Sequence, residues 1–206
     1  MAFKLRLPKW FLEATAKIYI SSKPLWFQWN PAHHKIKGFE SRKIIDTIQP
    51  GDILLRTIHG YLNSRVSPGE YGHAAMVING KTVAHAVGEG VCTEDILDFC
   101  RCDSLCVLRV KNITIDGKCI AVNKALTMVE DHVQYDYNFA TEAEEKIKKF
   151  GMHVYCSEAV HVWHNYLFVD DYTTILGNLI LTPSALRTSS KVDCILEFLH
   201  PKGERN

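Results

Sequence analysis

Two histidines twelve positions apart, His73 and His85, and one cysteine, Cys156, are the residues of this 206-residue chain best suited to nucleophilic chemistry. An imidazole can take the proton of a thiol, and a second polar group can fix the ring that does so. His73 stands ahead of the apolar run "HAAMVI", and His85 lies in "KTVAHAV". The Asn79-Gly80 pair between them is the strongest short-range hairpin signal. Cys156 opens a stretch in which Ala159, Val160, Trp163 and Leu167 have helical spacing. A thiol at a helix N-terminus meets the positive end of the macrodipole and free N–H groups. These favour thiolate over thiol and can hold an oxyanion. Taken singly, each signal has an ordinary reading. Most cysteines are small buried hydrophobes, and histidines on a hairpin are commonly half-exposed strand residues.

The register of the hairpin decides whether the rings share a face. With Asn79-Gly80 as a two-residue loop, Ile78 pairs with Lys81 and His73 falls opposite Ala86, one step from His85. A one-residue bulge or a three-residue turn would bring the two histidines together.

The elements around these residues follow from pattern and punctuation. "KWFLEATAKIYI" (residues 9–20) has the spacing of a helix, and Trp26, Phe27 and Trp29 follow it as arm aromatics expected to pack on the domain. "PGDILLRT" reads as turn then buried strand. "TEDILDFC" reads as a helix capped by Thr93, "SLCVLRV" as a strand, residues 116–133 as an amphipathic helix and "VDCILEFL" as a closing strand. "ATEAEEKIKKFG" reads as a surface helix. Helices combined with hairpin-connected strands indicate an α+β fold. The expected division is a basic, aromatic-rich arm over residues 1–47 and one domain over 48–206.

Composition narrows the function class. With 47% hydrophobic and 23% charged residues the chain can bury a sizeable core. A net charge of +1 argues against a dedicated nucleic-acid surface. Residues 1–48 alone carry a net charge of +6, which leaves the remainder acidic. That arm suits a peripheral contact with a membrane or an assembly. Seven cysteines, an odd number in a chain of this size, favour free thiols and a reducing compartment. The charged N-terminus lacks a secretory signal pattern, and a cytoplasmic location is the expectation. Cys100, Cys102 and Cys106 (C-x-C-x3-C) and His161 with His164 (H-x2-H) match no structural zinc spacing. They read as core or surface thiols and as histidines on the outer face of a helix, so neither a metal nor a cofactor is expected.

The stretches "PGDILLRT", "GHAAMVINGKTVAHAVGEGV", "YDYNF" and "YCSEAV", in this order, resemble the permuted NlpC-type papain-like cysteine hydrolases, in the YiiX/YaeF-like amidase branch. The resemblance covers about residues 48–190. It implies a circularly permuted papain-like fold, with a small antiparallel sheet or partial barrel packed against helices. It implies Cys156 as nucleophile, His73 as base and His85 as the third polar residue, with Glu89 as an alternative orienter. Asp52, Tyr135, Asp136 and Ser157 are candidates for supporting parts. The activity implied is cysteine-dependent cleavage of an amide in a peptide, cell-wall-like or lipid substrate. A lipid thioesterase or acyltransferase on the same site, and a non-catalytic scaffold, are the alternatives.

Overall fold

The computed structural model describes residues 18–22, 25–29, 34–59, 69–136, 153–175 and 178–200, with backbone alone for the first two segments and residue 178. The chain forms two compact units, residues 1–34 and 35–206. In the first, β1 (Ile18–Ser22) pairs antiparallel with β2 (Leu25–Trp29). Ile18, Tyr19 and Ile20 thus stand in a strand, where a helix was expected. Their β-branched and aromatic side chains suit a pleated surface better than a helical one. The expected helix over residues 9–17 and the surface helix "ATEAEEKIKKFG" lie outside the described residues, as do the side chains of the arm aromatics.

The second unit begins with α1 (Gly38–Thr47), assigned to the arm by sequence. Ile44 of this helix is fully buried with Leu54, Val77 and Phe99, so α1 belongs to the larger unit. The unit is built on a six-stranded antiparallel sheet of order β12-β7-β3-β4-β5-β6. Its strands are β3 (Ile53–Thr57), β4 (His73–Asn79), β5 (Thr82–Val87), β6 (Gly90–Asp95), β7 (Ser104–Val110) and β12 (Val192–Phe198).

Both faces of this sheet are covered, which is why Ile53, Leu54 and Leu55 form a continuous apolar run where a one-sided strand would alternate. On one face Ile53, Leu55, Ala74, Met76 and Leu108 meet α3 (Ile115–Glu130) and α4 (Cys156–Trp163). On the other, Leu54, Ala75, Val77, Val83 and Val107 meet α1 and the short α2 (Ile96–Phe99). The α2 helix starts later than expected. Thr93 continues β6, and Asp95 caps the helix by accepting the Leu97 N–H at 2.8 Å.

Two short strands, β8 (Gln134–Tyr135) and β9 (His153–Val154), pair in parallel and deliver the chain to α4. The close approach of β8 to β6 depends on Gly90, whose φ is +113° and where a Cβ would lie 2.7 Å from the Val133 carbonyl oxygen. A hairpin of β10 (Thr173–Ile175) and β11 (Asn178–Ile180) and the helix α5 (Pro183–Thr188) lead into β12. The fold is mixed α+β, and the described strands do not close into a barrel. Among the described residues no helix is long and apolar enough to cross a membrane.

Candidate active site

His73 is the first residue of β4 and is partly buried, and His85 is buried in β5. The hairpin turns one residue later than a two-residue Asn79-Gly80 loop requires. Asn79 pairs with Thr82, its side-chain oxygen accepting the Lys81 N–H at 2.9 Å, and a bulge at Ile78 follows. Beyond the bulge Ala75 pairs with His85, so His73 and His85 share a face as diagonal neighbours, a separation long side chains bridge. His73 Nε2 lies 3.0 Å from His85 Nδ1, with the rings edge to face.

Two charged residues unassigned by the sequence reading complete this cluster. The Arg56 guanidinium bonds to Glu94 Oε2 at 3.1 Å and to the Phe99 carbonyl at 3.3 Å, and stacks 4.1 Å from the Phe99 ring centre. Glu94 Oε2 is 3.7 Å from His85 Nδ1, an electrostatic distance beyond a hydrogen bond. Glu94 escaped notice because residues 93–100 read as a helix. As part of β6 it sits beside Cys92, which pairs directly with His85. Glu89, the acid expected as alternative orienter, is exposed on the turn between β5 and β6. Burial and the Arg56 guanidinium hold the His85 pKa down at about 4. Burial, Arg56 and His85 push that of His73 well below its ordinary value. Both rings are therefore neutral at pH 7, one donating to the other.

Cys156 is the first residue of α4 and is 7% exposed. Its neighbours clamp it in place: the Leu181 N–H donates to Tyr155 Oη at 2.9 Å, and Ser157 Oγ donates to the Leu181 carbonyl at 2.7 Å. That uses the one hydroxyl proton of Ser157. The sulfur faces backbone N–H groups of Ala74, Ser157 and Cys156 itself. These stabilise a thiolate, as the sequence implied, but burial outweighs them and the thiol pKa is raised. Side-chain alternation sets His73 on the Val77 face of the sheet, whereas α4 packs on the Ala74 and Met76 face. The sulfur meets the strand at the peptide joining His73 to Ala74, at the very end of β4. Among the described residues no hydrogen bond joins the sulfur to either imidazole, and an approach of His73 to the sulfur has to run around the strand end.

The other candidates divide. Asp136 is buried and donates its N–H to the Val154 carbonyl at 3.2 Å, two residues before Cys156, and Tyr135 pairs with Val154 in the parallel ladder. Asp52 lies at the opposite end of the sheet, beyond the Ile53–Met76 pair, whereas His73 pairs with Arg56. Both its oxygens are held by Arg109, at 2.8 and 2.7 Å. These bonds anchor that end of the sheet.

The cysteine and histidine pairs of the sequence also separate. His161 and His164 are buried, not on an outer face, because every residue of α4 is enclosed. His161 Nδ1 accepts the Phe168 N–H at 3.0 Å. Cys100 and Cys102 are buried, and Cys106 lies against Cys194.

Comparison with known proteins adds a decisive finding. The family described as permuted papain-like amidase enzymes, YaeF/YiiX, C92 family, matches residues 47–196. No curated protein and no solved structure is matched. The match spans most of the chain and takes in β3 to β7 and most of β12, the histidine hairpin and the whole of α4. The chain belongs to the permuted papain-like amidase family and is an enzyme of the cysteine amidase/peptidase class.

Proposed function

We propose that Cys156 is the nucleophile, His73 its general base and His85 the residue that orients His73, in an amidase working through a thioester intermediate. The observation that carries this is the 3.0 Å contact between His73 Nε2 and His85 Nδ1. The tautomer that donates from His73 Nε2 leaves the Nδ1 lone pair free to accept a proton. With the imidazole held below its ordinary pKa and the thiol above, the resting couple is neutral. His73 takes the thiol proton as the sulfur attacks the amide carbon. N–H groups at the head of α4 hold the oxyanion. The imidazolium then protonates the departing amine, and water activated by the same ring hydrolyses the thioester, freeing acid and thiol. The substrate class is an amide whose acyl part is a peptide, a cell-wall-like fragment or a lipid chain. Transfer to an alcohol or thiol in place of water uses the same intermediate.

Alkylation by iodoacetamide with peptide mass mapping tests the assignment. Cys156 is expected to label ahead of the other six cysteines at neutral pH, and His73→Ala to slow that labelling by about 100-fold, the scale of a general base. Preferential labelling of Cys92, which faces His85 across the β5–β6 ladder, would transfer the nucleophile to β6. A Cys156 rate indifferent to His73→Ala would remove the couple altogether.

A further inference from the structure

A second pair of sulfurs lies away from the histidine hairpin. Cys106 on β7 and Cys194 on β12 have their Sγ atoms 3.6 Å apart. The two are a diagonal pair: Cys194 pairs with Leu108, and beyond a bulge at Ile195 Glu197 pairs with Cys106. The two differ in access, Cys106 being fully buried and Cys194 exposed. Around them stands a built environment. Glu197 accepts two bonds from Arg187, both 2.9 Å, and one from Tyr71 Oη at 2.7 Å. Its carboxylate is also within hydrogen-bond reach of Cys106.

We propose that Cys106 and Cys194 form a reversible redox site that closes to a cross-strand disulfide on reaction with hydrogen peroxide. The exposed Cys194 thiolate attacks one peroxide oxygen, the O–O bond breaks, and a sulfenic acid and one water result. Cys106 sulfur then attacks the Cys194 sulfur. The S–S bond forms, the S–OH bond breaks, and the hydroxide leaves as a second water with the Cys106 proton. Two thiols lose two electrons together, and the peroxide gains them. The sulfurs are already in contact at 3.6 Å on neighbouring strands, as a diagonal pair, and bonding at ~2.05 Å requires them to close the rest of that gap.

Cys106, Cys194 and Glu197 also have ligand atoms within 4.8 Å of one another, the spacing of a metal group. The Arg187 guanidinium already saturates Glu197, and a divalent cation would have to sit beside it, so the disulfide is the better reading.

The test is to treat the reduced full chain with hydrogen peroxide at low molar excess and map peptides by mass without reduction. The expected product joins the Cys106 and Cys194 peptides with loss of two hydrogens. It reverts with dithiothreitol, is absent in Cys194→Ser, and raises the Tm of the oxidised protein over the reduced one. The proposal fails if Cys194 proceeds to sulfinic acid while Cys106 stays a free thiol. It fails equally if Cys194 links no more to Cys106 than to Cys92 or Cys119, or if the isolated protein carries one zinc that Cys194→Ser releases. None of these readouts depends on the amidase assignment.

Discussion

The two ends of the β3–β4 pair carry buried polar clusters of opposite character. At the Asp52 end, Arg109 takes both carboxylate oxygens and the Gln49 N–H adds a third bond at 2.8 Å. At the His73 end, the contact between the rings uses one nitrogen of each imidazole, and the nearby acid, Glu94, is committed first to Arg56. The first cluster has its bonding capacity filled by a fixed ion pair and holds the sheet. The second keeps two neutral bases in a low-dielectric setting, where a change of protonation is energetically large. On the proposed assignment, the saturated ion pair at one end serves the fold, and the neutral imidazoles at the other are left able to accept a proton.

Substitution at each end breaks this contrast in a different observable. The largest effect expected is that of Cys156→Ser, which lowers turnover of an N-acyl-peptide p-nitroanilide by about 10⁴-fold or more with a Tm close to the parent. Retention of a tenth of the activity would refute the nucleophile. Asp52→Ala comes next. It leaves Arg109 unpaired and costs about 2–3 kcal/mol in a denaturant titration, at the low end for a broken buried pair because Arg109 is 26% exposed. Its kcat/KM per folded molecule stays unchanged, and a specific catalytic loss would mean that the two ends are coupled.

His85→Ala is expected to lower kcat about 10- to 100-fold by freeing the His73 ring, with partial recovery in His85→Gln, which restores an acceptor. Equal loss in both variants would indicate a packing role for His85. The smallest effects are shifts along the pH axis. Because His73 is held below the usual ~6.5, the acid limb of kcat/KM lies below pH 6.5. Glu94→Gln moves it lower still, since Arg56 then opposes the imidazolium uncompensated. The same depression makes the fold acid-labile. The unfolded chain binds a proton at His85 below pH ~6.5, the folded one only near 4. This contribution to stability is complete above pH 6.5 and is lost as pH falls through about 4. A histidine-dependent acid transition followed by circular dichroism checks it, and a flat stability between pH 7 and 4 would contradict it.

Much of the fold was legible in residue pattern. The strands of "ILLRT", "HAAMVI", "KTVAHAV", "SLCVLRV" and "VDCILEFL" and the helix after Thr114 stand where periodicity and punctuation set them. Thr114 caps that helix through the Gly117 N–H at 3.0 Å. The misreadings share one cause, which is that local pattern carries no information about what lies across the ladder. Thr93–Asp95 resembles a helix start until β5 supplies a pairing partner. Ile18–Ile20 fits a helical period until β2 does the same. His161 and His164 look like an outer face until the sheet and the Phe168 segment enclose α4.

For the site, the hairpin and helix-start signals together with the family resemblance picked out His73, His85 and Cys156 as candidates, and of these the structure brings the two histidines into contact. Everything that depends on register or on depth was decided by the tertiary structure. The bulge at Ile78 turned the two rings onto one face, β6 brought Glu94 and β3 brought Arg56 to their side, and Leu181 clamped the residues flanking the cysteine. The protonation states were settled in the same way. A helix start lowers a thiol pKa in sequence reasoning, yet burial raises it here, because desolvation acts on every charge that the fold buries.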